Sequence, residues 1–434
     1  MTTSCRVCES TDARVCIEGP GTWHCYEPAL GETFPYRVLL CQRCGHVFGA
    51  WQQDLTHLYR DQEYVTCDGD LPVYASYVPF VLASLSRRKR APRVLEIGFN
   101  RGALLKHFYD LGFECHGVEP GQQNVEAARH KMPQATLHAG LFDEAWAERN
   151  HTGPFDLVII TSVLEHMPQP LEVLRAIRGC LAPDGRVFIV VPDLAFYTPT
   201  WQIPKEKRDQ YGCSQLLFFY RDIFLCYAQH INHFSGPSLT RYLGALGLRT
   251  VQVANVGNIW ISAGPGEAGD DSFEYPDLVE YHREMMDHYE RMLQAMRSAM
   301  LAKLGGRKLV CYGAGRDFGY FLDVFRPLGI DPVAVADDRV AGPVVHGVSC
   351  IKPGDLAALS PDVCLATSFD YEDQIAAKAR AILPPSVEVL TLTGLIYESD
   401  LVVRPFTDFR LLPEVGSAVP RNRRRGRVRE PVQA

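Results

Sequence analysis

Val94-Leu95-Glu96-Ile97-Gly98-Phe99-Asn100-Arg101-Gly102-Ala103-Leu104-Leu105 reads as a strand, a glycine turn and the start of a helix. Residues 94–97 form a short apolar run closed by glycine, the pattern of a buried strand. From Ala103 onward, Leu104, Leu105, Phe108 and Leu111 keep helical spacing. Gly98 and Gly102 bracket the turn, where glycine permits a positive φ and lets the backbone come close to a ligand. The first helical turn leaves backbone N–H groups unpaired. A pyrophosphate-binding loop would read G-x-G-x-x-G. This one reads E-x-G-x-x-x-G, with Asn100 where a central glycine often sits. The Glu96 carboxylate repels a pyrophosphate and suits a cationic, amino-acid-like ligand.

Outward from that loop, Glu119 follows Glu96 by 23 residues and ends a second strand over 114–118. An acid there is placed to accept both ribose hydroxyls of a nucleoside. Phe155-Asp156-Leu157-Val158-Ile159-Ile160 runs into Val163-Leu164-Glu165-His166-Met167. Leu181-Ala182-Pro183-Asp184-Gly185-Arg186-Val187-Phe188-Ile189 supplies a further turn and strand. Glycine loop, two acids and these two strands, in this order, resemble the class I S-adenosylmethionine-dependent methyltransferases. The other reading is a nucleotide-binding fold of a different kind. The resemblance implies that S-adenosylmethionine lies across Glu96, Gly98, Gly102 and Glu119, with the loop at its amino-acid end and Glu119 on its ribose. It also implies that His166 lies near the methyl donor, as a weaker candidate for a catalytic task.

At 434 residues the chain has room for two or three domains. A net charge of −7 argues against a general nucleic-acid surface. No signal peptide and no apolar run long enough to span a bilayer is visible, so a cytoplasmic location without membrane contact is expected. Six of the 14 cysteines fall in the first 44 residues. In a reducing compartment that clustering points to a metal rather than to disulfides.

Cys5-Arg6-Val7-Cys8 and Cys41-Gln42-Arg43-Cys44-Gly45 are two C-x2-C knuckles. Cys5, Cys8, Cys41 and Cys44 offer four thiolates to one tetrahedral zinc, and Gly45 allows the second knuckle to turn sharply. Four thiolates close the shell, so the zinc is structural. Cys16, Cys25 and His24 lie between the pairs and read as packing residues.

The domain division expected is a zinc-binding domain at 1–60, a helical linker at 61–90, and a methyltransferase domain at 91–265. A bridging helix at 270–304, a Rossmann-like domain at 305–397 and a tail at 398–434 follow. The helical stretch from Leu55 to Arg90 carries Tyr59, Tyr64, Tyr74 and Tyr77, which line a pocket or pack an amphipathic helix. Residues 194–226 are rich in aromatics and are placed to cap the carboxyl ends of the strands. In the last domain, Gly313-Ala314-Gly315-Arg316-Asp317-Phe318-Gly319 opens a helix, and Asp337-Asp338 end the next strand. A fold kept for packing or for holding a nucleotide-linked substrate is preferred there over a working NAD site. The arginine-rich end, residues 421–429, reads as a disordered tail.

The fold class is therefore α/β: a class I methyltransferase sheet, a small N-terminal zinc domain and a smaller Rossmann-like C-terminal domain. That order resembles the nucleotide-sugar C-methyltransferases, which methylate the carbon beside a ketone in a 4-keto sugar nucleotide. Their base motif, Tyr-x-Glu-His, matches Tyr227, Gln229 and His230, with Gln229 in place of the glutamate. The resemblance implies His230 as the base and Tyr227 as the donor to the enolate oxygen. The partner it implies is a small molecule, a sugar nucleotide, on a monomer or homodimer. O- or N-methylation of a sugar or other metabolite is the alternative chemistry, and a non-catalytic protein that keeps the fold is the alternative class.

Overall fold

The computed structural model describes residues 3–21, 34–50, 73–85, 91–150, 153–194, 229–255, 258–339, 343–368 and 371–397. Tyr227, Tyr59, Tyr64, His24 and Cys25, nearly all of the aromatic segment at 194–226 and the tail at 398–434 lie outside the described residues. Of the linker, only one helix is described.

In chain order the N-terminal unit holds β1 (Ala13–Gly21), β2 (Phe34–Cys41) and β3 (Val47–Gly49). Helix α1 (Tyr74–Ser84) comes next. The central unit runs β4 (Arg93–Ile97), α2 (Ala103–Asp110), β5 (Glu114–Glu119), α3 (Gln122–Lys131) and β6 (Thr136–Ala139). It continues with α4 (Glu144–Asn150), β7 (Phe155–Thr161), α5 (Pro170–Cys180) and β8 (Leu181–Pro192). After the undescribed segment come β9 (Asn232–His233), α6 (Gly236–Ala245), β10 (Leu248–Asn255) and β11 (Asn258–Pro265).

The central sheet has seven strands in the order β10-β11-β8-β7-β4-β5-β6. Strands β4 to β8 pair in parallel, and β11 lies antiparallel between β8 and β10. The strand order reverses between β4 and β7, and ligands of open α/β sheets settle at the carboxyl ends of strands at such a point. Both faces are covered, as a parallel sheet requires. On one face Tyr77 and Phe80 of α1 pack edge-on against Trp260, and both lie near Phe188. On the other, Leu95, Val158 and Ile189 share one core with Leu174 of α5, Leu243 of α6 and Phe48 of β3.

The N-terminal sheet is not closed by its own residues. Its order is β1-β2-β3-β9, so its last strand comes from the far side of the central domain. Val47 pairs with His233 and Phe48 with Asn232. The Gly49 N–H donates to the Ile231 carbonyl at 3.1 Å.

Helix α7 (Pro276–Leu304) begins with proline in its first turn, where the missing N–H costs nothing. Its early residues Leu278, Tyr281, Met285 and Met286 belong to the first core, and its last ones, Met300 and Leu304, to the core of the C-terminal lobe. The methionine spacing thus reads as core packing at both ends. Gly45 has φ +73°, and a Cβ there would meet Leu278 Cγ at 2.9 Å, so the knuckle turn and the seating of α7 both demand glycine.

The lobe itself contains β12 (Leu309–Tyr312), α8 (Arg316–Phe325), β13 (Ala334–Ala336), β14 (Val344–Val345) and β15 (Val348–Ile351). It ends with β16 (Val363–Ala366), α9 (Glu372–Ile382), β17 (Glu388–Thr391) and α10 (Leu392–Tyr397). Its order β14-β15-β13-β12-β16-β17 is parallel except for the β14–β15 hairpin. Asp337 accepts the Ala314 N–H at 2.8 Å, just as Glu119 accepts a loop N–H in the central domain. No helix of the described residues is long and apolar enough to cross a membrane.

Because Phe48 is fully buried in the core common to both sheets, Phe48→Ala should cost about 3–5 kcal/mol. Calorimetry should show the N-terminal and central sheets melting together at a lower temperature. A new, separate low-temperature transition for the N-terminal sheet alone would contradict the shared core.

Candidate active site and candidate metal centre

The glycine loop leaves β4 at Ile97 and enters α2 at Ala103. Gly98 has φ +71° and Gly102 +77°, and Asn100 also takes a left-handed φ of +53°. Bulk at Gly98 meets a neighbour at once. The nearest obstacle in the structure is protein: a Cβ there would stand 2.5 Å from Val163 Cγ2. A Cβ at Gly102 would stand 2.6 Å from Met132 Cε. Glycine is therefore required by backbone and neighbours alike.

Glu119 ends β5 beside this loop. Its carboxylate accepts the Asn100 N–H at 3.0 Å, the Gly121 N–H at 3.0 Å and the Asn124 amide at 3.3 Å. It therefore ties the loop to the strand end. Burial raises its proton affinity, and the two backbone N–H groups and Asn124 oppose that rise.

Glu96 is buried at 2% exposure, and its Oε2 has no hydrogen-bond partner among the described residues. Burial, then the neighbouring Glu119 charge, push its pKa up to about 8, against a hydrogen bond from the Leu105 N–H. Two buried acids beside one glycine loop make a setting that an added positive charge would relieve.

At the end of β7 the chain turns through a short 3-10 segment, Leu164–His166. Here the segment at 229–235 comes in. His166 Nδ1 lies 2.8 Å from the Gln229 carbonyl. The Ile231 N–H donates to the Glu165 carbonyl at 3.1 Å, and the Asn232 amide donates to the Met167 carbonyl at 2.7 Å. His230 is thereby brought beside His166, with ring centroids 4.8 Å apart. His230 and His233 are both buried. Burial, then His166 and His233, push the His230 pKa well down, so its imidazole is neutral. Tyr227 lies outside the described residues. Glu165, buried at 2% exposure in the same cluster, is the residue that sequence reasoning passed over. Its signal was its place directly before His166 at the end of an apolar strand.

The four knuckle cysteines converge. Cys5 and Cys44 Sγ atoms are 3.5 Å apart, as are those of Cys8 and Cys41, and all four lie within 4.8 Å of one another. Tetrahedral zinc with bonds of about 2.3 Å has sulfur–sulfur edges of about 3.8 Å, so the donor set fits that ion. The knuckle is braced by the Tyr242 hydroxyl on the Cys44 carbonyl at 3.2 Å and by His282 Nδ1 on the Gly45 carbonyl at 2.6 Å. His282 Nε2 in turn takes the Ser235 hydroxyl at 2.8 Å, and Ser235 caps α6. With Nδ1 donating, Nε2 is the acceptor, which fixes the tautomer. His46 Nε2 lies 3.0 Å from Asn232 Oδ1, linking the knuckle to the His230 segment directly.

Residues 72–253 match the family profile of a methyltransferase domain. This protein is an S-adenosylmethionine-dependent methyltransferase. The methyltransferase is similar to the C-methyltransferase NovU of Streptomyces niveus, at 26% identity over 390 residues, 82% of this chain and 86% of that one. It is also similar to a ubiquinone biosynthesis O-methyltransferase of Caulobacter sp. (strain K31), at 33% identity over 100 residues. That match covers 22% of this chain and 39% of the relative, well under half of its length. Among solved structures, the CcbJ methyltransferase from Streptomyces caelestis aligns with a TM-score of 0.34 and 15% identity, over 47% of this chain and 94% of that one.

Glu96 gives the methyltransferase a measurable signature. Free of ligand, it holds its proton below about pH 8. A cofactor ammonium placed beside it would favour the carboxylate, so binding at about pH 7 should expel close to one proton. Affinity should then rise as pH goes from about 6 to about 7.5. Titration calorimetry in two buffers of different ionisation enthalpy measures that proton. No proton release in the parent, or the same release in Glu96→Gln, would remove Glu96 from the cofactor site.

Proposed function

We propose that the chain methylates carbon beside the ketone of a keto sugar nucleotide, through an enolate. The observation that carries this reading is the neutral, buried His230, delivered to the carboxyl end of β7 at the strand-order switch point. Two things support it: the sequence resemblance to nucleotide-sugar C-methyltransferases, and the similarity to NovU, which runs through 82% of the chain rather than through the methyltransferase domain alone.

S-adenosylmethionine supplies an electrophilic methyl on a sulfonium. Glu96, Gly98 and Gly102 hold its amino-acid end and Glu119 its ribose. Carbon is a poor nucleophile until a proton beside a carbonyl is removed, which needs a base and a donor to the oxygen. His230 takes the α-proton, and Tyr227 donates to the oxygen. The amide of Gln229 replaces the carboxylate expected beside the base, while its carbonyl holds His166. Cys5, Cys8, Cys41 and Cys44 hold one structural zinc, worth on the order of 10 kcal/mol to local folding.

O-methylation needs a base at a hydroxyl and no enolate. In heavy water with a 4-keto sugar nucleotide, the enzyme should exchange the α-proton for deuterium even without methyl donor. His230→Ala should abolish the exchange and still bind S-adenosylmethionine. Methyl transfer to a substrate without a carbonyl, with no exchange and an unaffected His230→Ala, would move the assignment to O- or N-methylation.

A further inference from the structure

Glu165 sits on the turn that leaves β7, close to where the cofactor loop leaves β4. Its backbone carbonyl accepts the Ile231 N–H, which fixes the His230 segment. Its side chain is a separate matter. Oε2 is buried without a hydrogen-bond partner among the described residues, and Oε1 stands 3.9 Å from His166 Nε2. Buried polar groups are nearly always matched, so one that is not calls for an explanation. One donor atom each from Glu165, His166 and His230 lie within 4.8 Å of one another.

Environment divides the tasks within this cluster. Burial pushes the Glu165 carboxyl up to about 8, against its own backbone N–H. Burial also pushes His166 down to about 4, and His230 well down. At neutral pH the carboxyl keeps its proton and the imidazole lacks one. Two neighbouring groups pushed apart in this way mark an acid and a base. An H–C–C=O fragment needs both, the base at carbon and the donor at oxygen, only a few bond lengths apart.

We propose that Glu165 is a second catalytic residue, a neutral carboxylic acid that donates a hydrogen bond to the substrate carbonyl oxygen opposite His230. This rests on the C-methylation reading above and adds a donor beside Tyr227. His230 removes the α-proton. The C–H pair moves into the new C=C bond, and the carbonyl π pair moves onto oxygen. Glu165 keeps its proton but shares it with that oxygen. The enolate carbon then takes the methyl group, the oxygen returns to a carbonyl, and S-adenosylhomocysteine leaves. The proton on His230 passes to solvent.

The test compares Glu165→Gln and Glu165→Ala in the full-length, metal-containing protein. The readout is α-proton exchange with a 4-keto sugar nucleotide, with S-adenosylmethionine affinity and melting temperature as controls for folding. Glu165→Ala should lose about a hundredfold or more in exchange rate. Glu165→Gln keeps an N–H donor and should stay within about tenfold of the parent.

The pH profile adds an independent sign. A raised folded pKa means the donor is present below about 8 and lost above it, so the parent rate should fall as pH rises through that value. Glu165→Gln should lack that fall. Among the described residues, the titratable groups around Glu165 are His166 on its own turn, His230 with His233 behind it, and Tyr77 from α1. His166 and His230 are held low and Tyr77 high, so none of these three titrates there.

Glu165→Gln as inactive as Glu165→Ala would show that a charged carboxylate is needed and would overturn the proposal. So would an unaffected Glu165→Ala, or a parent activity lost to chelator together with a metal that Glu165→Gln no longer binds. A parent that exchanges no proton would instead overturn the C-methylation reading beneath it.

Discussion

The pairing of β3 with β9 is the constraint on which the candidate active site depends. Strand β9 is only two residues long and cannot hold its place alone. It is held because β3 launches three residues after Cys44 and lies at its edge. The knuckle, the strand and the histidine segment form one chain of contacts: Gly45 to His282, His282 to Ser235, His46 to Asn232, Asn232 to Met167. A four-cysteine knuckle far away in sequence is thus tied to the segment that carries the proposed base.

Burial does the electrostatic tuning. Glu96, Glu119 and Glu165 are all shielded from water, and all hold protons more tightly than exposed acids do. At the loop, two buried acids stand side by side. At the end of β7, an acid stands among neutral imidazoles, a setting for acid–base chemistry. The carboxyl ends of neighbouring strands therefore carry both environments because the chain brings different neighbours to each.

The central fold was legible because each of its signals is local. The glycine loop needs left-handed backbone at Gly98 and Gly102, the strands are continuous apolar runs, and α7 ends at glycine. The four-cysteine cluster was legible from two C-x2-C spacings, which geometry brings together. What could not be read was the sheet that joins them. Asn232 and His233 look like the lead into a helix, and nothing local says that Phe48 and Val47 will pair with them. Glu165 was passed over for the same reason. Its proximity to His230 arises from a contact spanning 65 residues of sequence, and its altered acidity arises from burial that no motif records. Gln229 looked like a lost carboxylate, and the structure places a different carboxyl group nearby.

The central claim is that metal, N-terminal sheet and histidine segment form one unit. Hydrogen–deuterium exchange, followed by mass spectrometry before and after chelation of protein that elemental analysis shows to carry one zinc per chain, tests it most directly. On removal of the metal, amides at 38–49 should lose protection, and those at 229–235 should lose it with them. The amides of β4 and β7 should remain protected. Opening of 38–49 with 229–235 still protected would show that the candidate base is held without the knuckle and would contradict the account.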